Sequence, residues 1–302
     1  MSETLLIAKN RDLYFFPYCT EIDVWSRTEL LDAMANPLLS VNQALWSEKL
    51  SHYQLIIFLD YGFSPEMAVF VKRYTAAKVV LYFWNYFAAD KQLLLAQTQA
   101  AKVVDEIFSF DPIEAQQYGL LHNSTFYSLN LKNRTLPIQY DIFFGASNKG
   151  RVDQALELEK TFELLGLTTF YHITKGEGKT TSEYVPYDQY LDFVFQSRAI
   201  LEIMREHQTG LTLRSMEALY FKKKLITTNP VIKDYCFYHP HNIFVLGQDD
   251  NAYLPEFMQK PYEPVKKEIL DFYDVSAWSQ RFAHQDLEAF QRLEYKNFQN
   301  VE

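Results

Sequence analysis

The sequence predicts an α/β protein in which helices cover both faces of parallel sheets. Short, continuous apolar runs such as Leu55–Leu59 and Val79–Phe83 have the length and composition of strands buried on both faces. These runs alternate with helical patterns, which is typical of parallel sheets. The polar, proline-terminated segment Asn130–Pro137 interrupts the alternation, which then restarts. The chain of 302 residues is long enough for two domains, each with its own core.

The first half contains one helix between these runs, and two further strands and a helix after them. A helix is predicted over Pro65–Tyr74, with proline in its first turn, and a strand over Asp105–Phe110. Asp111 precedes the predicted helix Pro112–Gln117, and aspartate in that position is a common helix N-cap. The last strand of this half is predicted over Ser124–Tyr127. We therefore predict a first domain over residues 1–133.

The second half repeats the alternation over residues 138–274, which we predict to be the second domain. It opens with a strand at Ile142–Phe144, a loop at Gly145–Gly150 and a helix from Val152 to Leu165. Further strands are predicted at Thr168–Ile173, Ala199–Ile203, Leu225–Thr228 and Asn242–Leu246. The polar loop Lys175–Tyr187 is expected to be mobile and near a ligand. The remaining tail, residues 275–302, has the pattern of one or two amphipathic helices over Val275–Phe298.

Composition excludes several classes of function. A net charge of −9 argues against nucleic acid as a partner, because Lys and Arg supply most of the affinity for its phosphates. Cys19 and Cys236 are too few and too far apart for a disulfide framework or a zinc site, which indicates a reducing compartment. The N-terminus lacks the apolar core of a signal peptide, and no apolar run could span a bilayer. We expect a cytoplasmic protein, and the sequence leaves open a transient contact with the inner, cytoplasmic face of a membrane.

The most informative segment is the turn and helix that follow the predicted strand Ala199–Ile203. A glycine-bearing turn that opens a helix directs backbone N–H groups at a ligand above the sheet, and here that turn contains Gly210 and Thr212. Arg214 and Glu217 lie three residues apart, so they share a helix face. Arginine suits phosphate, and glutamate suits the hydroxyls of ribose. These four residues predict a nucleotide-sugar site, with an exposed ion pair as the alternative for the two charges.

A second candidate segment is the loop between the first strand of this half and its helix. Gly145 and Gly150 have the spacing of a phosphate-binding P-loop, but Arg151-Val152 follows where that motif needs Lys-Ser or Lys-Thr. We predict that Gly145, Lys149 and Arg151 approach the diphosphate of a sugar donor. The alternative is a tight turn in which glycine relieves backbone strain. His172, at the end of the next strand, is either a contact to the sugar donor or a structural residue.

The same segments carry a resemblance to bacterial glycosyltransferases of the GT-B type that act in lipopolysaccharide or capsule synthesis. Their sugar-donor site is similar to GLTLRSMEALYFKKKLITTN, and the strand and loop that open their donor domain resemble YDIFFGASNKGR. Strands of their acceptor domain are similar to LIIFLDYG and VVLYFWN. The resemblance covers residues 45–250. It implies two Rossmann-like domains that face each other across a cleft, with a C-terminal helix that crosses back to the first.

The resemblance also implies an activity. It implies transfer of a sugar from a nucleotide-diphosphate donor to a glycan or lipid-linked acceptor in cell-surface polysaccharide synthesis, without a cofactor or a bound metal. Many retaining members carry two glutamates eight positions apart; Glu217 matches the second, but Thr209 stands at the first. The stereochemical outcome is therefore left open. Two alternatives remain: a non-catalytic sugar- or nucleotide-binding partner of a transferase, and a nucleotide-sugar epimerase or hydrolase on the same fold.

The candidate catalytic base is Asp60. Glycosyl transfer with inversion needs a group that takes the proton of the acceptor hydroxyl. Asp60 follows the predicted strand Leu55–Leu59 directly, at the end of the strand where ligands collect in such sheets. The alternative is a strand-end cap in a turn with Gly62.

Overall fold

The chain folds into two compact units, each built on one parallel sheet. The computed structural model describes residues 2–148, 150–174, 182–283, 290 and 294–296. The first unit comprises Met1–Asn130 and Tyr273–Asp286, and the second comprises Leu131–Phe272 and Leu287–Glu302. Neighbouring strands run parallel throughout both sheets. The predicted α/β class, with two Rossmann-like units, is confirmed.

The sheet of the first unit has six strands. They are β1 (Thr4–Ala8), β2 (Asp23–Ser26), β3 (Leu55–Leu59), β4 (Lys78–Phe83), β5 (Glu106–Ser109) and β6 (Leu121–His122). Their order across the sheet is β2-β1-β3-β4-β5-β6. The helices of this unit begin with α1 (Arg27–Ala35), α2 (Pro37–Ser40), α3 (Gln43–Leu50), α4 (Pro65–Lys72), α5 (Ala89–Ala101) and α6 (Pro112–Tyr118). All five residues of β3 are buried, as the continuous apolar run predicts.

The sheet of the second unit has five strands. They are β7 (Tyr140–Ser147), β8 (Thr169–Thr174), β9 (Ser197–Glu202), β10 (Lys224–Thr227) and β11 (Ile243–Val245). Their order is β11-β10-β9-β7-β8. The helices that follow in the chain are α7 (Val152–Leu164), α8 (Tyr187–Phe195), α9 (Leu213–Tyr220), α10 (Leu254–Gln259) and α11 (Lys267–Tyr273). Short 3₁₀ helices occur at Phe16–Tyr18, Pro230–Asp234 and Asn251–Tyr253.

Several local predictions can be compared with these elements. Asp111 caps α6 as predicted, because its side chain accepts hydrogen bonds from the N–H groups of Ile113 and Glu114. The prediction of a last strand at Ser124–Tyr127 is wrong, since β6 takes that edge of the sheet. The Tyr127 backbone instead bonds to the last residue of α11, donating to Tyr273 O at 2.8 Å. Strands β1 and β2 and helix α8 had no counterpart in the sequence analysis.

The loop predicted at Gly145–Gly150 is shorter than expected. Residues 145–147 belong to β7, which pairs with β8 up to Ser147. Lys149 and residues 175–181 of the loop Lys175–Tyr187 lie outside the described residues. Tyr187 itself begins α8.

The C-terminal segment completes the core of the first unit. Its helix α12 (Val275–Gln280) carries Trp278, which is fully buried. The Trp278 ring stacks on Phe126 with 3.8 Å between ring centroids. Asn123 Nδ2 donates to Trp278 O at 3.1 Å, and Lys78 Nζ donates to Phe282 O at 2.7 Å. The predicted tail helices can be compared with the structure only in part. The tail residues outside the described part of the chain are 284–289, 291–293 and 297–302.

The topology fixes where ligands can bind. In the first sheet, β2 is added on one side of β1 and the strands from β3 onward are added on the other, so the strand order reverses between β1 and β3. In the second sheet, the strand order reverses between β7 and β9. Open α/β sheets bind ligands beyond the carboxyl ends of the strands at such a switch point. Each unit therefore presents one candidate site. None of the helices in the described ranges combines the length and apolar character needed to cross a membrane.

Substitution of Gly145 tests how tightly side chains pack beside β7, at the candidate site of the second unit. A Cβ built on Gly145 would overlap Tyr190 Cε2 and would lie 2.7 Å from Phe143 Cζ. Since overpacking a filled core costs about 1–3 kcal/mol, Gly145→Ala should lower the free energy of unfolding by that amount in urea denaturation. Ser147→Ala, on the same strand, adds no atom beside Tyr190 and is the control. Equal stability of Gly145→Ala and the unsubstituted protein would show that this packing is loose.

Candidate functional site

Arg151 lies at the switch point of the second sheet. Its Nη1 donates to Ile203 O at 2.7 Å and its Nη2 to Ser147 O at 3.3 Å. The guanidinium thereby links the chain that leaves β7 to the chain that leaves β9. Its Nε is buried and has no hydrogen-bond partner within the described ranges. One strong hydrogen-bond donor is thus left unsatisfied by the residues that the structure describes.

Arg214, in the first turn of α9, reaches the same strand end. Its Nε donates to Gly145 O at 2.7 Å, and its Nη2 contacts the same oxygen. The guanidinium also lies 5.9 Å from the centroid of the Phe144 ring. The structure therefore brings together three residues that the sequence predicted for one site: Gly145, Arg151 and Arg214.

The arginines at this edge repel one another. Burial and, after it, the nearby positive charges of Arg214 and Arg205 lower the pKa of Arg151 to about 10, against an opposing effect of Glu202. Guanidinium groups held this close are stabilised by an anion between or above them. The arrangement suits a diphosphate, whose oxygens accept hydrogen bonds from several arginine N–H groups at once.

Glu202 is a site residue that the sequence analysis missed. It ends β9, is fully buried, and accepts hydrogen bonds from the hydroxyls of Thr212 at 2.5 Å, Ser215 at 2.7 Å and Thr227 at 2.5 Å. The Thr212 hydroxyl also accepts a hydrogen bond from the Arg214 N–H at 3.1 Å, so Thr212 caps α9. The available signal was a single glutamate in an otherwise apolar strand. The predicted ligand residue Thr212 uses its hydroxyl to position the helix.

Glu217 is fully buried instead of facing solvent. It accepts hydrogen bonds from the hydroxyls of Tyr187 at 2.8 Å and Tyr190 at 3.1 Å. Burial raises the pKa of Glu217 to about 7, although both tyrosines and the nearby Arg214 favour the charged form. This geometry ties α8 to α9 and differs from the exposed ion pair considered as an alternative. A ribose contact through Glu217 stays a prediction, and it requires a tyrosine to release a carboxylate oxygen.

The remaining predicted residues of this site are placed as follows. Gly210 is buried in the turn that leads to α9. The adjacent Thr209 O accepts a hydrogen bond from Asn229 Nδ2 at 3.1 Å. His172 is 8% exposed on β8, where its ring lies 5.3 Å from that of Phe193, and burial lowers its pKa. This placement favours the structural alternative for His172. Lys149 lies outside the residues that the structure describes.

In the first unit, Asp60 is held from several sides. Its carboxylate accepts hydrogen bonds from the Trp84 N–H at 2.9 Å and from Asn85 Nδ2 at 3.1 Å, and pairs with Lys91 Nζ at 2.7 Å. The residue is 1% exposed. An acceptor hydroxyl could reach this carboxylate only after the turn had rearranged. The catalytic role of Asp60 stays a prediction, beside its role in linking the ends of β3 and β4.

Glu114 is a second buried carboxyl group near Asp60. It accepts hydrogen bonds from the Phe87 N–H at 2.9 Å and from the Ser109 hydroxyl at 3.3 Å. Burial and, to a lesser degree, the negative charges of Asp111 and Asp60 raise its pKa to about 7, against the effect of these two hydrogen bonds. A carboxyl group that titrates near neutral pH can exchange a proton in catalysis. No pattern in the sequence distinguished it from a solvent-facing helix residue.

Nowhere in the described ranges do three or more His, Cys, Asp or Glu side chains form a group that could hold a metal ion.

The titration of Glu217 predicts a pH-dependent stability. Its pKa in the folded protein, about 7, is above the ordinary value of 4.5, so the folded state keeps a proton that the unfolded state loses between these pH values. Stability from this group therefore falls as pH rises from 4.5 to about 7. Glu217→Gln removes the effect, so the difference in unfolding free energy between the two proteins should change by up to about 1.4 kcal/mol per pH unit.

Urea denaturation over this pH range measures that difference. Tyr187→Phe is the companion variant: it keeps the carboxyl group and removes a hydrogen bond that favours its charged form, so the slope should persist and extend to higher pH. Parallel pH profiles of Glu217→Gln and the unsubstituted protein would contradict the assignment.

Comparisons with known proteins show similarity at the level of the fold. No protein-family model matches the sequence, and no curated protein matches it. The solved structure of an alpha-glucosyltransferase in complex with UDP and a 13-mer DNA is similar with a TM-score of 0.53, at 11% identity over 96% of this chain and 98% of that chain. A glycosyltransferase from Rickettsia africae ESF-5 gives a TM-score of 0.49, at 10% identity over 97% of this chain and 98% of that chain. The chain thus shares the two-unit fold of the alpha-glucosyltransferase.

Proposed function

We propose that the protein is a glycosyltransferase that binds a nucleotide-diphosphate sugar in its second unit. The observation that carries the proposal is the group of arginines at the β7/β9 switch point, in which Arg151 and Arg214 are both anchored to backbone carbonyls. Arginines that are held by backbone carbonyls and repel one another are arranged for a phosphate ligand. The fold supports the proposal, because the similar alpha-glucosyltransferase has UDP in its structure.

The chemistry follows from the position of these charges. When the acceptor hydroxyl attacks the anomeric carbon, the bond to the nucleoside diphosphate breaks and negative charge develops on the leaving phosphate. Arg151 and Arg214 would stabilise that charge, since both guanidinium groups are already fixed by the protein. The N–H groups at the start of α9, with Gly210 and Lys149, would add to this stabilisation. Asp60 is the proposed base for the acceptor hydroxyl.

We propose further that the acceptor is a glycan or a lipid-linked sugar in cell-surface polysaccharide synthesis, on the cytoplasmic side of the membrane. This part rests on the sequence resemblance described above.

A second candidate function is a sugar- or nucleotide-binding partner without catalysis. It is favoured by the burial of Asp60 in its pair with Lys91 and by Thr209 at the position of the first glutamate. The two functions differ in one measurement, the slow release of free sugar from the nucleotide sugar without acceptor. Turnover supports the enzyme, and binding without turnover supports the partner. A thermal-shift panel of nucleotide sugars selects the ligand for this assay.

The role of Arg214 can be tested by calorimetry. Arg214→Ala removes a charge-assisted contact to phosphate and should cost about 1.5–3 kcal/mol, or roughly ten- to a hundredfold in affinity for a nucleoside diphosphate. Affinity for the nucleoside itself should hardly change. The uridine and adenosine series, each as nucleoside, monophosphate and diphosphate, serve as ligands.

Arg198→Ala is the matched control, because Arg198 is an exposed arginine at the opposite end of β9. An unchanged affinity of Arg214→Ala for both diphosphates would remove the basis of the proposed sugar-donor site.

The base is tested by comparing Asp60→Asn with Lys91→Met. Loss of a general base lowers turnover by about 10²–10⁴-fold. Breaking the buried pair by removing either partner lowers stability by about 3–5 kcal/mol. If Asp60 is the base, Asp60→Asn should lose far more turnover than Lys91→Met at a similar loss of unfolding free energy. Equal losses of turnover in the two variants would assign Asp60 to structure alone.

A further inference from the structure

A second group of cations lies at the switch point of the first unit, around the turn Asp60–Gly62. Lys9 follows β1 directly, and its Nζ lies 4.7 Å from the centroid of the Tyr61 ring. Lys91 Nζ lies 5.6 Å from the same centroid. The Tyr61 residue is 49% exposed and Lys9 is exposed, so both border solvent at this edge of the sheet, whereas Lys91 is buried.

Arg27 joins this group through an unusual contact with Gly62. Gly62 has a φ of +83°, and a Cβ built on it would overlap Arg27 Nη1. The guanidinium therefore lies directly against the Gly62 α-carbon, in space that only glycine leaves open. Arg27 Nε is buried and has no hydrogen-bond partner among the residues described. The turn Asp60–Gly62 thus contacts the Arg27 guanidinium without accepting a hydrogen bond from its Nε.

The charge at this edge is only partly offset. The pair with Asp60, at 2.7 Å, balances the charge of Lys91. The neighbouring Arg11 pairs with Glu29 at 3.4 Å. Within the described ranges, no carboxylate lies within ion-pair distance of Lys9 or Arg27. Two cations thus remain without a counter-ion at a ligand-binding edge, in a chain whose net charge is −9.

We propose that this edge binds a phosphoryl group of the acceptor, so that the sugar acceptor is a phosphorylated sugar and not a neutral glycan. The proposal rests on the glycosyltransferase function proposed above. Arg27 supplies the planar, directional donors and Lys9 a mobile point charge, which together suit a phosphate monoester or diester. The exposed Tyr61 ring supplies an apolar face of the kind that borders sugar ligands.

The probe is inorganic phosphate, titrated into the full-length protein and followed by backbone amide resonances. The amides of Tyr61 and Gly62 report on the first unit, and those of Gly210 and Leu211 report on the second. We expect a saturable shift at Tyr61 and Gly62. Arg27→Gln should weaken this binding by about tenfold or more, because it removes a charged hydrogen-bond donor. Lys9→Gln, which leaves the Arg27–Gly62 contact in place, should weaken it less.

Arg73→Gln is the matched control. Arg73 is an exposed arginine at the end of α4, on the side of the sheet where the strands begin and not where they end. An equal loss of binding in Arg73→Gln would reveal general charge attraction and overturn the proposal. So would the absence of a saturable shift at Tyr61 and Gly62. Shifts at Gly210 without shifts at Tyr61 would overturn this proposal and leave the sugar-donor site standing. Shifts at Tyr61 with unchanged affinity of Arg214→Ala for nucleoside diphosphates would support this proposal and remove the sugar-donor site alone.

A second titration tests the sugar. Glucose 6-phosphate should shift the Tyr61 and Gly62 amides at lower concentration than inorganic phosphate, and glucose should not shift them. Equal effects of glucose and glucose 6-phosphate would identify a neutral glycan acceptor and overturn the proposal.

Discussion

The buried carboxylate of Glu202 is the constraint on which the second unit depends. A carboxylate that has lost its water needs full hydrogen bonding, and three hydroxyls supply it. These hydroxyls come from the cap of α9, from its body and from β10, so one side chain fixes where the helix begins relative to two strands. The cap in turn orients the first turn, from which Arg214 reaches Gly145 O. The position of Arg214 therefore depends on Glu202 at the end of β9, through the cap and first turn of α9.

The two units hold arginine side chains at their switch points in similar ways. Both sheets place their first and third strands side by side, and both hold arginine at that point against main chain instead of against carboxylates. A glycine makes room in each case: Gly145 lies under the Tyr190 ring, and Gly62 lies under the Arg27 guanidinium. In the second unit the arginines are held by backbone carbonyls, which carry only partial charge and so position a guanidinium without neutralising it. The cations keep their attraction for an anionic ligand.

The sequence was sufficient where local patterns decide structure. The continuous apolar run of β3 and the aspartate before Pro112 specify a buried strand and a capped helix through near neighbours alone. It was insufficient where distant residues decide. The three partners of Glu202 lie ten or more positions away, and the tyrosines that bury Glu217 come from α8, whose start was assigned to a polar loop. Gly145 was assigned to a loop, and the rings of Tyr190 and Phe143, which leave no room for a Cβ, explain its presence in β7.

The contacts of α12 have a consequence for biosynthesis. Trp278 fills the core of the first unit beside Phe126, and Lys78 and Asn123 bond to carbonyls of residues 282 and 278. Domains of most proteins fold in the order in which the ribosome makes them. Here the unit that is synthesised first lacks part of its interior until residues 273–282 emerge, by which time residues 131–272 of the second unit, with all five strands of its sheet, have been made. The sheet of the second unit is therefore available before the first unit can close its core, and the hydrophobic face around Phe126 stays open until residues 273–282 are made.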